Sequence, residues 1–392
     1  MTDTALPVVT KSARPSVTSR PGLIVLALAL GFVLVCRLLL YVWMPERSSD
    51  FDLLYDAAAR LAAGENPYPA ATQGLPYLLP AVLLAVPFTA IPLDLARPVF
   101  DVLVGWAFVY ALWRYRGHFA LLALGSGAYL HAMMSGQTTP LMVAAILVPA
   151  LGFLLAVKPN TAIPLWIARP SWVALLGVSV FIGLSFLVRP SWPQDWWMAL
   201  PVDLKEVRPP LMRPFGFVLL LAALRWRSPE GRLLLAVACV PQTALPYELV
   251  SLALIPATLV EMGSFLAGSW IAVAVAADWI GLGHSIGGWT PTSWIASLGA
   301  VYLPMLYLIL RRPSGRAVPR VEKERRRPNR VPDEELEVDV SLNGDGEVMV
   351  TVIHLPTRLS STESGPTRQV AERKAHDKLA AILAGKGRRV HP

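Results

Sequence analysis

The sequence predicts an all-α polytopic membrane protein: a bundle of about ten transmembrane helices, with further helices lying at the membrane surface and a small ββα module at the C-terminus. Three observations carry this prediction. Of the 392 residues, 54% are hydrophobic and only 16% charged, with a mean hydropathy of +0.50, whereas a soluble domain carries about a quarter charged residues. Apolar stretches close to the length that spans a bilayer recur from Gly22 to Leu310. Beyond Arg311 the chain turns polar and basic, and only there does strand-like alternation replace long apolar runs.

Composition also narrows the chemistry. The two cysteines, Cys36 and Cys239, both lie in apolar segments and offer neither a disulfide framework nor a metal-ligand spacing. The histidines (His118, His131, His284, His354, His376, His391) stand singly, without the paired spacing of a zinc site. The net charge of +8 gathers towards the chain ends and beside apolar segments. The excess of Lys and Arg on the cytoplasmic side of membrane proteins accounts for it, so nucleic acid is not an expected partner.

In chain order, residues 1–21 read as a disordered cytoplasmic tail and 22–311 as the membrane domain. The segment Gly22–Met44 is a first span running outward; it lacks a signal-peptide cleavage site, and Arg37 within it calls for a partner inside the bundle. The stretch Ser48–Tyr68 (SSDFDLLYDAAARLAAGENPY) follows. Its apolar residues Leu53, Leu54, Ala57, Ala58, Leu61 and Ala62 recur at helical spacing, predicting an interfacial helix in an outer loop that extends over 48–92. Pro76, Pro80, Pro87 and Pro92 leave the rest of that loop only a short juxtamembrane or re-entrant helix. Crossings are then expected at Pro98–Trp113 and Phe119–Met134, and a proline-kinked path from Thr138 to Ala168. Further crossings are expected at Trp172–Val188, Phe215–Leu224, Leu233–Pro246, Tyr247–Val260, Phe265–Leu282 and Trp294–Leu310. Between them, Arg189–Arg213 forms a second outer loop whose Trp192, Trp196 and Trp197 suit the headgroup level. Residues 312–334, with the run Lys323–Arg327, make a basic linker that keeps the C-terminus cytoplasmic. In 335–392, Leu336–Leu355 alternates around an N-G-D-G turn as a hairpin and Pro366–Ala384 reads as a basic amphipathic helix. The chain is thus expected in the plasma or inner membrane, crossing many times, with both termini cytoplasmic.

The chemistry-bearing residues cluster at the first outer loop. Asp50 and Asp52 stand where the first span reaches water, at a depth where a carboxylate stays ionised and can meet both lipid-borne and water-borne reactants. Read without context, each is a solvated loop acid. The surrounding pattern is more specific: Asp50, Phe51, Asp52, Tyr55, Ala57, Ala58, Leu61, Gly64, Asn66, Pro67 and Tyr68, then a Pro-rich helix (LPYLLPAVLLAVP), then Gly136-Gln137 opening a helix, then Lys158-Pro159. This order resembles glycosyltransferase family 87 of the GT-C superfamily over roughly residues 20–310. The resemblance implies a GT-C-like bundle and a mannosyltransferase-like enzyme, which takes a hexose or pentose from a polyprenyl-phosphate sugar and delivers it to a lipid-linked or cell-envelope acceptor on the outer face. It implies Asp50 as general base, since an acceptor hydroxyl titrates far above neutrality and must lose its proton as the bond forms. Asp52 would be a second acid, positioning the acceptor or a divalent cation; no other cofactor is implied.

The leaving lipid phosphate needs cationic or hydrogen-bonding partners, for which Lys158, Arg97 and Arg213 are the candidates, the arginines serving equally well as interfacial anchors. Gln137 is either a sugar-binding amide or a turn residue. Tyr55 and Tyr68 suit interfacial anchoring, and Asn66 shaping of the turn, beside their candidacy for substrate. Two features depart from the family: the stretch between Gln137 and Lys158 is short, and PQTALPYE (Pro241–Glu248) offers Tyr247 and Glu248 where the family has a His-Tyr pair. Glu248 would then substitute. Against the enzyme stands a carrier of lipid-linked substrates, with ionisable groups on broken mid-membrane helices, and a non-catalytic protein of the same fold. The end of the tail (SGPTRQVAERKAHDKLAA) faintly resembles part of a double-stranded-RNA-binding domain, and a regulatory or packing module is the preferred reading.

Overall fold

A computed structural model describes residues 20–43, 49–69, 75–200, 207–243, 245–277, 291–312, 336–342, 348–356, 359–365, 371–372, 374–379 and 382. The N-terminal tail, the Lys323–Arg327 run, the 343–346 turn and both ends of the Pro366–Ala384 helix lie outside these residues. The chain divides into two compact units, Met1–Ser314 and Gly315–Pro392, close to the boundary read from composition.

The first unit is helical. Helix α1 (Arg20–Trp43) has no acidic residue and one internal cation, and at 1.5 Å per residue it is about 36 Å long, enough to cross a bilayer core of about 30 Å. Leu23, Ile24, Leu28, Val35, Leu38 and Val42 are exposed along it. Ala29 and Val33 are buried against α4 (Leu93–Tyr115), where Gly105 lets Val33 approach so closely that a Cβ there would stand 2.6 Å from a Val33 methyl. Arg37 finds its partner in Asp101 of α4 at 2.9 Å. A charge at this depth persists only when paired.

Helix α2 (Asp50–Ala62) is the amphipathic helix foreseen from its spacing: Phe51, Leu54, Ala57 and Ala58 are buried while the opposite face is open. It ends at Gly64, whose φ of +79° takes the left-handed conformation that glycine adopts without steric cost. Helix α3 (Leu79–Ala85) and a 3₁₀ turn (Val86–Ala90) complete the connection from α2 to α4. Prolines and β-branched residues then break the chain repeatedly. A 3₁₀ segment His118–Gly125 leads into α5 (Gly127–Met134); α6 (Thr139–Leu147) gives way to a 3₁₀ segment Pro149–Val157, and α7 (Pro159–Ala168) follows. Next, α8 (Trp172–Val188) turns by 88° into α9 (Trp192–Ala199). The remainder comprises a 3₁₀ segment Gly216–Arg225, α10 (Pro229–Cys239), a 3₁₀ segment Pro246–Leu254 and α11 (Leu259–Ala276). The last crossing element runs through α12 (Pro291–Ser297), a π-helical turn Leu298–Tyr302 and α13 (Leu303–Arg311).

Among the described residues four helices are long and apolar enough to cross a membrane: Gly22–Leu40, Leu93–Tyr115, Leu259–Ala276 and Ser293–Arg311. The bent pair α8–α9 makes a fifth. The ten crossings expected from apolar length are therefore not shown. The segments 119–134, 138–168 and 233–260 are predominantly apolar but mix α and 3₁₀ geometry, and 216–224 is 3₁₀. Pro149 and Pro159 in the second of these segments and Pro246 in the third stand where one helical stretch gives way to the next.

The second unit is a three-stranded antiparallel sheet in the order β1 (Leu336–Leu342), β2 (Val348–His354) and β3 (Leu359–Gly365). The predicted hairpin is β1–β2, with Val338 opposite Val352. The third strand was not foreseen, so the module is βββα rather than ββα. Val350 and Val352 of the sheet bury with Ala371, Ala375 and Leu379 of the helical stretch that follows.

Candidate functional site

The start of α2 is fixed by packing before it is fixed by charge. Phe51 is fully buried, stacked on Phe100 of α4 at 4.3 Å between ring centroids and edge-on to Phe88 at 5.6 Å. The turn Ser135–Gln137 docks directly on it: the Asp50 amide donates to the Ser135 carbonyl at 2.9 Å. Gly136, at φ +63°, sits so close that a Cβ would lie 3.0–3.2 Å from Ser49 and Phe51. Hence only glycine serves at this turn, for both its φ and its lack of a side chain.

This docking assembles a continuous polar line. The Tyr77 hydroxyl donates to Oδ2 of Asp50 at 2.6 Å, and the Gln137 side-chain amide donates to the same oxygen. Oδ1 of Asp50 has no hydrogen-bond partner among the described residues, and the residue is half-buried. Burial, and then the neighbouring Asp50 charge, hold the Tyr77 phenol well above its ordinary pKa, so it stays a donor. Gln137 passes the line on: its carbonyl oxygen accepts from Lys158 Nζ at 2.9 Å. Lys158 also donates to the Thr139 hydroxyl at 2.9 Å and pairs with Glu248 at 3.4 Å. Its ammonium lies 4.6 Å from the centre of the Tyr247 ring, which stacks on His131. Glu248 accepts in addition from Asn160, Thr161 and Thr243 at 3.3–3.4 Å. Gln137, Lys158 and Glu248 are each less than 10% exposed. A buried charge pair of this kind is tolerable only because the surrounding hydroxyls and amides satisfy the remaining donors and acceptors.

Beside this line stands a second pair. Arg97 donates to both oxygens of Asp52, at 2.8 and 3.0 Å, while the Ser49 amide and hydroxyl donate to them at 2.8 and 3.0 Å. The Ser49–Asp52 contact is the returning half of a capping box. All of Asp52's acceptor capacity towards the protein is thus in use, while Arg97 gives it one edge of its guanidinium, Nε and Nη2. Arg213 lies elsewhere, donating to the Gln242 carbonyl at 2.5 Å and to the Arg208 carbonyl at 3.0 Å, with its guanidinium over Trp294. Burial pushes it down to about 10, which leaves it charged at neutral pH. It reaches the polar line through a small pocket of ≈ 220 Å³, open mouth included, that Arg213 and Glu248 line together with Thr243, Trp294, Ser297 and Tyr302.

The predicted site residues therefore separate. Asp50, Gln137, Lys158 and Glu248 come together although they are scattered over some two hundred positions. Asp52 and Arg97 form a neighbouring pair, and Arg213 is a neighbour of Glu248 across the pocket. The other three are bound to backbone. Tyr55 donates to the Ile91 carbonyl and Tyr68 to the Tyr77 carbonyl, while Asn66 accepts from the Tyr68 amide, closing an Asx turn. Sequence reasoning missed Tyr77, Thr139, Asn160, Thr161 and Thr243. Asn160 and Thr161 directly follow the Lys158-Pro159 pair, Thr243 lies in PQTALPYE and Tyr77 in the Pro-rich stretch LPYLLPAVLLAVP, and each could have been found there. No three His, Cys, Asp or Glu side chains are grouped to hold a metal ion among the described residues, and Asp52's engagement with Arg97 makes it a poor ligand for a divalent cation. No family model, curated protein or solved structure matches the chain.

Proposed function

We propose that the protein is an integral membrane glycosyltransferase of GT-C type, moving a hexose or pentose from a polyprenyl-phosphate sugar to a lipid-linked or cell-envelope acceptor at the outer face. The observation that carries this reading is the half-buried Asp50 carboxylate, with one oxygen held by Tyr77 and Gln137 and the other open. Such a group can accept the acceptor's proton while the acceptor oxygen bonds to the anomeric carbon and the sugar–phosphate bond breaks, its electrons leaving with the lipid phosphate. In this reading Asp52 and Arg97 position α2 rather than react, Lys158 polarises Gln137, and Glu248 holds Lys158 in place.

The geometry of α4 supports the depth this reaction needs. Arg97, paired with Asp52, and Arg116, at the helix end, are separated by about 28 Å along the axis, close to the thickness of a bilayer core. The Asp50 site then lies at one membrane face and the arginine-rich turns at the other, which the positive-inside bias makes cytoplasmic. A bundle of about ten passes follows if the mixed α and 3₁₀ segments also cross, since a 3₁₀ turn rises about 2.0 Å per residue. One observation favours the carrier reading: Arg37 and Asp101 form a buried ion pair between two spans.

Membranes holding wild type or Asp50→Asn, supplied with labelled polyprenyl-phosphate sugars, test the proposal. Loss of transfer by about 10²–10⁴-fold in the variant is expected from removal of a general base. Undiminished transfer in Asp50→Asn overturns the assignment of the base. Substrate translocation without transfer in the wild type moves the protein to the carrier class.

A further inference from the structure

At the end of α4 remote from Asp50, arginines from four separate stretches converge: 114–116, 169, 225–232 and 311–312. Arg116 donates to the carbonyls of Leu254 and Pro256 at 2.8 and 2.9 Å, and Arg312 to that of Ile255 at 2.9 Å. Arg232 donates to Ile167 and Ala168 at 3.0 and 2.9 Å, beside Arg169, and Arg225 to Leu310, beside Arg311. Arg114 and Arg227 are exposed next to them. The acids within this collar are Glu261, engaged by Arg311 and Arg312, and Glu230. Guanidiniums on the final carbonyls of helices and turns are ordinary capping, and for Arg116, Arg225, Arg232 and Arg312 capping is a sufficient account.

Capping does not account for Arg169. Its guanidinium is half-buried just past the end of α7, without a side-chain hydrogen bond or salt bridge among the described residues, and Glu230 is the acid whose charge reaches it. Burial first, and then the positive charge of Arg169, depress the neighbouring Arg116 to about 10, with Glu230 acting against them, so the two guanidiniums are close neighbours. The surroundings of the collar are greasy. Leu259 is 62% exposed and Val260 80%, directly beyond the turn that Arg116 and Arg312 hold; Leu224 and Trp226 flank Arg225, and Tyr115 adjoins Arg116, all exposed. A soluble anion would have no use for such a border, whereas a lipid presents a phosphate and acyl chains together.

We propose that this arginine collar binds the headgroup phosphate of an anionic phospholipid, with Arg169 and Arg227 as the guanidiniums that engage it and the exposed apolar residues receiving its chains. The test uses the full chain in detergent micelles, relipidated from vesicles of equal phosphatidylglycerol and phosphatidylcholine, with retained lipid counted by mass spectrometry. Arg169→Gln and Arg227→Gln are each expected to cut the retained phosphatidylglycerol-to-phosphatidylcholine ratio about fivefold, the effect of one arginine at an anionic surface. Arg208→Gln, an exposed arginine outside the collar, is expected to leave it unchanged. Arg227, exposed and without a side-chain hydrogen bond among the described residues, keeps the test valid should Arg169→Gln fail to fold. An unchanged ratio in Arg227→Gln, an equal fall in Arg208→Gln, or release of the lipid by inorganic phosphate overturns the proposal, the last by pointing to a soluble phosphate. None of these outcomes bears on sugar transfer at Asp50.

Discussion

At Asp50 two donors meet on one oxygen, and each can be removed separately. Tyr77→Phe deletes a hydrogen bond to a charged acceptor and leaves the ring in its buried place. Such bonds contribute about 1.5–3 kcal/mol, so transfer should fall roughly ten- to a hundredfold in turnover with substrate affinity nearly kept; steady-state kinetics in proteoliposomes would show it. Farther along the line, Lys158→Met strands Glu248 as a buried unpaired carboxylate, a change that costs about 3–5 kcal/mol. Adding Glu248→Leu removes the stranded charge, and the double variant should melt closer to the wild type than Lys158→Met does. Equal melting of the single and double variants in a thermal series would show that the pair is not coupled. The sequence disclosed Asp50, Gln137, Lys158 and Glu248 because each stands in a short motif at a helix start. Tyr77, although it lies in the Pro-rich stretch, stayed hidden because its place depends on the loop packing that joins Tyr68 to the Tyr77 carbonyl, and loop packing leaves no periodic trace.

Among elements, α1, α2 and α8 were legible because nothing interrupts their spacing, α8 over the same residues as expected, whereas the course of the proline-broken segments 138–168 and 233–256 was not. Apolar length shows that such a segment belongs inside a bundle; prolines decide where its hydrogen bonds shift from one register to another, and neighbouring helices decide its path. The contact between α11 and the π-helical turn Leu298–Tyr302 shows how tightly those paths are set. A Cβ at Gly268 would stand 1.9 Å from the Ala300 carbonyl oxygen, which no rotamer change relieves, while at Gly263, in the same helix, nothing lies within 4 Å. Gly268→Ala should therefore destabilise the bundle by about 1–3 kcal/mol through overpacking, and Gly263→Ala should stabilise it by up to about 1 kcal/mol through helix propensity. The same substitution in one helix thus has opposite signs, readable as opposite shifts in melting temperature. Similar shifts for both would mean that α11 does not rest on that turn.

At the scale of the whole molecule, the described residues form two hydrophobic cores that share no residue. The membrane unit draws on most of its helices, while the tail module buries only Val350, Val352, Ala371, Ala375 and Leu379, with Leu336, Val338 and Leu359 partly covered. Its hairpin was legible from alternation; β3 (LSSTESG) was not, because one leucine among small polar residues carries no pattern and its strand form comes from pairing with β2. A core of that size supplies only a few kcal/mol. The tail should consequently unfold in its own transition below that of the membrane unit, and ending the chain at Ser314 should delete that transition and leave the upper one in place. Acid should weaken it further. Lys378, 2.6 Å from Glu363, holds that carboxyl below its usual range, so the contact contributes above the ordinary glutamate value of about 4.3 and is lost as pH falls through the lowered one. Circular dichroism melts of the full and shortened chains at pH 7 and pH 3.5 would resolve this. A single shared transition at both pH values would mean that the sheet's stability comes from outside its own small core.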